Sequence, residues 1–239
     1  MQEQHQRTAM LLGEEAVQKL SSAKVAVFGV GGVGGYTVEA LARCGVGQID
    51  LIDSDKVSLS NLNRQIIALH STVGQYKVEV AKARIHDINP EIQVNAFPVF
   101  YLPDTACRFD LSQYDYIVDA IDTVESKVHL IEQAHLSGTP IISSMGAGNK
   151  LDPTAFEIAD ISKTAVCPLA KVIRTRLRAK GIHHLKVVYS KERPMPPKTD
   201  GEGKPVPASV AFVPSVVGLV IAGEVVADLT GVRSLGLGG

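Results

Sequence analysis

The chain is poor in cysteine, with Cys44, Cys107 and Cys167 scattered over 239 residues and no CxxC pair among them. That spacing argues against a thiolate zinc site and against a dithiol redox motif. Unpaired thiols in odd number suit a reducing cytoplasm. An excess of either charge is also missing, since 24 Lys and Arg face 25 Asp and Glu for a net charge of -1. Any binding to nucleic acid must therefore come from a local cluster. The opening MQEQHQRTAM has no apolar core, so no secretory signal is expected there. A long uninterrupted apolar run is absent too. The stretch from Val210 to Leu229 is broken by Pro214, Ser215, Glu224 and Asp228. It reads as a packed helix, because a membrane span needs ~20 nearly uninterrupted apolar residues. No internal repeat is visible. What is present is a 45% hydrophobic composition, enough for a full α/β core in one large domain or two small ones.

Short β-branched runs alternate with amphipathic stretches, the pattern of a mostly parallel, doubly wound sheet covered by helices. After a lead-in helix at 13–20, strands are predicted at 24–30, 48–53, 92–99, 114–120 and 140–144. Helices are predicted at 32–44, from Gly74 to Asp87, and at 125–137. Residues 1–150 read as the core. Residues 151–239 read as an elaboration packed on the same domain. It has strands at 156–161 and 185–190, a basic helix near 168–180, a mobile loop from Lys191 to Pro207, and an apolar helix beginning near Ser209.

Gly29-Val30-Gly31-Gly32-Val33-Gly34 satisfies G-x-G-x-x-G between a strand and a helix, the context of a Rossmann-like phosphate cradle. Asp53 ends the next strand, where an acid meets a ribose. The loop alone does not choose between NAD and ATP. Downstream, Asn61, Asn63, Arg64 and Gln65 follow the carboxyl end of the second strand, and Lys77 stands near a helix start. A cation there opposes the helix dipole unless an anion is present. Arg and Lys in this setting fit the charge that builds on a transferring phosphorus. Asp119 lies in an apolar run. Asp122, past the strand end, can hold Mg2+ through its carboxylate and the phosphates, or alternatively cap the next helix.

These residues resemble the ubiquitin-activating-enzyme superfamily, over roughly residues 7 to 150. The matching elements are G-x-G-G-V-G-G, the D-x-D of Asp53 and Asp55, S-L-S-N-L-N-R-Q, Lys77 and D-A-I-D. The resemblance implies that Asp53 binds ribose, that Arg64 and Lys77 hold ATP, and that Asp122 ligates magnesium. It also implies a homodimer in which Arg7 reaches across to the other subunit's site.

Further stretches resemble the tRNA threonylcarbamoyladenosine dehydratase family within that superfamily. They are D-A-I-D-T-V-x-x-K (119–127), G-A-G-N-K-L-D-P-T (146–154), I-A-D-I-S-K-T (158–164) and P-L-A-K-V-I-R-T-R-L-R (168–178). That resemblance implies ATP-driven closure of a tRNA-borne carboxylate into a ring. Lys171, Arg174, Arg176, Arg178, Lys180 and Lys186 are the candidate tRNA contacts. They belong to a basic segment, with Lys163, Lys191, Arg193 and Lys198, in which Glu192 is the one opposing charge counted. His183 and His184 are read as tRNA contacts, and Cys167 as structural rather than nucleophilic. The alternatives are adenylation of a sulfur-carrier protein, with a sulfur-transfer partner, an NAD-dependent dehydrogenase, and a non-catalytic tRNA-binding protein.

Overall fold

The computed structural model describes residues 3–199 and 205–233. In chain order its elements are helices α1 (Gln6–Leu12) and α2 (Glu14–Ser22), strand β1 (Lys24–Phe28), α3 (Gly34–Cys44), β2 (Gln48–Ile52) and α4 (Lys77–Ile88). Then come β3 (Gln93–Phe97), the short α5 (Pro103–Ala106), β4 (Tyr116–Asp119), α6 (Val124–Ser137) and β5 (Ile141–Ser144). The remainder is β6 (Phe156–Asp160), α7 (Pro168–Ala179), β7 (Lys186–Ser190), β8 (Lys198–Thr199), β9 (Pro205–Val206) and α8 (Phe212–Thr230).

Seven strands form one sheet in the order β3-β2-β1-β4-β5-β7-β6. All neighbours run parallel except β6, which is antiparallel to β7. β1 pairs with β2 on one side and β4 on the other. The winding therefore reverses there, and the carboxyl ends of β1 and β4 flank the crevice where ligands bind in such sheets. The inner strands β1, β2, β4, β5 and β7 are short and buried on both faces, which explains their apolar runs. One face carries a core of Val25, Val27, Leu41, Ile49, Leu51, Val78, Ile85, Val217, Ile221 and Val225. On the other, Phe28, Tyr101 and Phe109 pack with Ile117 and Leu130.

The helix expected from Gly74 begins at Lys77, because Gly74 N–H and Val57 N–H close a turn onto Val57 O and Gln75 O before it. The segment expected to be a mobile loop, 191–207, holds the antiparallel pair β8 and β9, and its residues 200–204 lie outside the described ones. It is tied down by Asn149, whose N–H donates to Ala208 O (2.7 Å), whose carbonyl accepts from Met195 N–H (2.7 Å), and whose Oδ1 accepts from Ala208 N–H (2.7 Å).

α8 is long and apolar enough, by length and composition, to cross a membrane, and half of that window is buried in the fold. It lies along α3, with Thr37 Oγ1 donating to Gly218 O (3.0 Å). A Cβ on Gly218 would stand 2.3 Å from Val33 O and 2.9 Å from Tyr36 Cβ. Gly218→Ala should therefore lower the unfolding free energy by about 1–3 kcal/mol, read from the urea midpoint. An unchanged midpoint would show that α8 is not seated this closely on α3.

Candidate active site

Two contacts without room for a side chain fix the glycine loop. A Cβ on Gly29 (φ +91°) would lie 2.6 Å from Ala120 O, and one on Gly34 only 1.8 Å from Gly29 O. The loop is thus pressed between the β4 end and its own helix start. Gly31 and Gly32 face the crevice instead. Added Cβ atoms there would sit 3.7 Å from Gln65 Nε2, and 3.6 Å from Arg64 Cγ and 3.2 Å from Pro214 Cβ. The loop, the Arg64–Gln65 segment and the start of α8 therefore line one volume. The cap position of α3 is Val33, which has no acceptor, so an anion can take the place of a side-chain cap.

Asp53 holds the loop from the side. Its Oδ2 accepts from Val30 N–H (2.7 Å) and its Oδ1 from Asp55 N–H (2.8 Å). Burial pushes its carboxyl above the usual range, against the opposing pull of Lys77 and these two hydrogen bonds. Lys77 is the first residue of α4, with a side chain only 7% exposed, and its Nζ lies 2.7 Å from Asp55 Oδ2. A buried cation at a helix N-terminus runs against the dipole, and here carboxylates offset it.

The rest of the polar segment is partly occupied with its own turn. Asn61 is buried and its Oδ1 accepts from Ser58 N–H (3.1 Å). Asn63 Nδ2 donates to Ser209 O (3.0 Å), linking this turn to the approach to α8. Arg64 Nη1 donates to Ser60 O and Asn63 Oδ1, both at 2.9 Å. Gln65 is different: it is buried, and its Oε1 has no partner among the described residues. An unpaired buried acceptor is costly. One that lies beside an open glycine cradle fits a bound ligand that donates to it.

Asp122 is exposed and pairs with nothing among the described residues. The cap position of α6 falls on Thr123, so Asp122 is not the cap. No group of three His, Cys, Asp or Glu gathers into a metal cage among the described residues. A lone carboxylate at the rim of a phosphate cradle fits Mg2+, which takes one or two carboxylates and completes its shell with phosphate and water. Arg7 stands apart from this group. Two residues before it, the His5 ring lies against Gly45, just past the C-terminal end of α3. The glycine loop is at the other end of that 11-residue helix, ~16 Å along the axis.

The basic segment is corrected by the fold. Arg176 pairs with Glu125, Lys180 Nζ lies 2.9 Å from Glu132 Oε2, and Lys191 Nζ lies 2.6 Å from Glu157 Oε2. Lys186 is held by Glu224 at 2.6 Å and by Asp228, in a network with Arg233 and Tyr116. As the first residue of β7, which runs parallel to β5, it sits at the end of the sheet away from the crevice. Arg174 Nη1 donates to Thr164 Oγ1 (2.6 Å) and to backbone carbonyls. Glu192 is therefore not the only opposing charge, because carboxylates from α6, α8 and β6 fold onto the cations. Lys171 and Arg178 are exposed and make no ion pair among the described residues. His184 is within 3.2 Å of Asp160, and Cys167 is buried at the cap position of α7.

The residue pattern marked Asp119 and the lysine of D-A-I-D-T-V-x-x-K but not their pairing. Lys127 and Asp119 form a completely buried ion pair, 2.8 Å apart, under the turn that carries Asp122. The available signal was a lysine at a core position of α6, followed by Val128 and Ile131 on the same buried face.

Strand order and site together define a class: a Rossmann-like nucleotide-binding unit whose glycine cradle is flanked by an arginine, a lysine and two short acidic turns. The chain belongs to the ThiF family, whose model matches residues 4–237. It is 48% identical to a tRNA threonylcarbamoyladenosine dehydratase of Bacillus subtilis, over 96% of this chain and 95% of that one. The Escherichia coli tRNA N6-threonylcarbamoyladenosine dehydratase solved in complex with ATP is similar in structure, with a TM-score of 0.86. It shares 36% identity, covering 94% of this chain and 93% of that chain. The same Escherichia coli protein has been solved in complex with AMP. Similarity to a sulfur carrier protein adenylyltransferase of Thermus thermophilus is shorter, 34% identity over 55% of this chain and 48% of that protein.

Removing the Asp53 carboxylate should release the loop locally. Hydrogen bonds to a charged group contribute about 1.5–3 kcal/mol, so Asp53→Ala should speed amide exchange at Val30 about 10- to 100-fold, with strand β4 unaffected. Equal exchange in both proteins would show that Asp53 does not hold the loop.

Proposed function

We propose that the protein uses ATP to activate the carboxylate of a threonylcarbamoyl group on a tRNA adenosine and closes it into a ring with loss of water. The observation that carries this reading is the packing of Arg64 and Gln65 onto Gly32 and Gly31, with buried Lys77 beside Asp53 and Asp55. Arg64, which pairs with no carboxylate among the described residues, and Lys77, shared with Asp53 and Asp55, are two cations beside the cradle where a dinucleotide site needs only its glycine loop. Near full-length similarity to proteins named for this reaction supports it.

ATP enters as a substrate and is consumed. Gly31, Gly32 and Gly34 receive its phosphates through backbone amides, Gly29 makes the turn into the cradle with its own N–H on Ile52 O (2.8 Å), Asp53 receives the ribose, and Asp55, Asn61, Asn63 and Gln65 shape the rest of the nucleotide pocket. Arg64 and Lys77 offset the charge that develops when a carboxylate oxygen attacks the α-phosphorus and pyrophosphate leaves. Arg7 joins them from the second subunit of a homodimer, a reading supported by the packing of neighbouring His5 against Gly45 at the far end of α3. Asp122 would hold Mg2+, which would supply charge neutralisation on the phosphates. In the second step a nearby atom of the modified nucleoside attacks the activated carbonyl carbon, AMP leaves with the former carboxylate oxygen, and the ring closes. One site confines both groups, so the closure is unimolecular.

On this reading residues 1–150 form the adenylating core, and residues 151–239 are an elaboration that carries the tRNA side. Exposed Lys171 and Arg178 are the favoured phosphate contacts, while Arg174, Arg176, Lys180 and Lys186 serve mainly the protein's own structure. A tRNA substrate places the reaction in the cytoplasm. Adenylation of a sulfur-carrier protein, with a sulfur-transfer partner, is the second reading, favoured only by the similarity confined to about half the chain.

The test is mass spectrometry of the digested tRNA after incubation with ATP and Mg2+. The expected result is a modified nucleoside lighter by one water, with equimolar pyrophosphate. Lys77→Ala and Arg64→Ala should each slow it about 100- to 1,000-fold. Pyrophosphate release that depends on a sulfur-carrier protein and not on this tRNA would overturn the reading.

A further inference from the structure

Beneath the crevice Lys127 has no solvent exposure, and each of its three ammonium protons has an acceptor. These are Asp119 Oδ2 (2.8 Å), Ser143 Oγ (3.2 Å) and Ser144 O (3.0 Å). Ser143 Oγ in turn donates to Asp119 Oδ2 (2.6 Å). One ammonium thus joins α6 to the carboxyl ends of β4 and β5. The other Asp119 oxygen faces the turn, where Oδ1 accepts from Ile121 N–H (3.1 Å). On its far side the same turn is clamped to the glycine loop, through Ala120 N–H on Phe28 O (2.8 Å) and the Gly29 contact on Ala120 O.

A buried ion pair is a poor means of stabilising a core, since apolar residues of similar volume usually serve as well or better. It does fix direction, because every donor and acceptor is committed. Here the one part of the network that points out of the core is the Ile121 amide, and the next residue is Asp122. We infer that Lys127 and Asp119 are positioning residues that set the place of the Asp122 carboxylate relative to the phosphate cradle, so that cradle and carboxylate can share one divalent ion. The inference rests on the reading of Asp122 as the magnesium ligand. Neither Lys127 nor Asp119 touches the nucleotide itself, so AMP, which lacks the β- and γ-phosphates, should bind without their help.

Calorimetry tests this without relying on turnover. Binding of AMP, of ATP with chelator and of ATP with Mg2+ is measured for the wild type, for Asp122→Asn, and for the double variant Asp119→Leu/Lys127→Met. The double variant removes both charges together and so leaves no buried ion unpaired. The expected result is unchanged AMP affinity in both variants, with the gain in ATP affinity from Mg2+ reduced about 10- to 100-fold, the usual effect of losing a group that orients a metal ligand. Ser143→Ala, a milder change to the same network, should shift the Mg2+ response in the same direction. It carries the test if the double variant does not fold.

If Asp122→Asn loses the Mg2+ gain while the folded double variant, or Ser143→Ala in its place, keeps it, the positioning role is overturned. If Asp122→Asn itself keeps the gain, the magnesium reading of Asp122 fails instead. Loss of AMP affinity in the double variant or in Ser143→Ala would make the pair a general support of the fold and would likewise overturn the inference.

Discussion

The structure depends on a close approach of backbone to backbone at the point where the sheet reverses its winding. Gly29 meets Ala120, and Gly34 meets Gly29, at distances that no side chain can share. These contacts bring the end of β1, the start of α3 and the end of β4 into one rim. Asp53 then reaches over from β2 to hold Val30. Everything chemically interesting hangs on that rim: the cradle amides, the Arg64–Gln65 turn, Lys77, and the turn with Asp122. A glycine cradle is common to many nucleotide-binding folds. In this chain its surroundings distinguish it.

Those surroundings show how charge is handled at two depths. Near the surface, Lys77 is paired with Asp55 while remaining next to Asp53. In the core, Asp119 and Lys127 are paired with each other and with Ser143. The first arrangement keeps a cation beside the anion site with carboxylates offsetting it, and the second leaves no charge over and turns it into orientation. Gln65 Oε1, beside the cradle, is an acceptor left unpaired among the described residues. A pocket that keeps such a group beside an open cradle is built around a ligand.

Much of this was legible in the residue pattern because it is local. A buried strand followed at once by glycines, and an acid at the end of the next strand, imply the cradle without knowledge of the fold. That the sheet is mostly parallel follows from the alternation of β-branched runs with helices. The basic segment was less legible for the opposite reason, since its ion pairs are not local. Counting charges along 163–198 cannot see Glu125, Glu132, Glu224 or Asp228, which arrive from α6 and α8 and neutralise much of it. The pairing of Lys127 was hidden in the same way: its partners lie on two different strands, and nothing in the linear order joins Ser143 to Asp119. Pairing between distant elements is where sequence reading stops and packing begins.

The central claim is that a carboxylate of the modified tRNA attacks the α-phosphorus of ATP, and it can be followed atom by atom. A tRNA whose threonylcarbamoyl carboxylate carries oxygen-18 is incubated with the protein, ATP and Mg2+, and the products are weighed. The predicted result is one heavy oxygen in AMP, none in pyrophosphate, and a ring-closed nucleoside that retains the other. AMP free of label, with the heavy oxygen in phosphate, pyrophosphate or water, would contradict activation by adenylation.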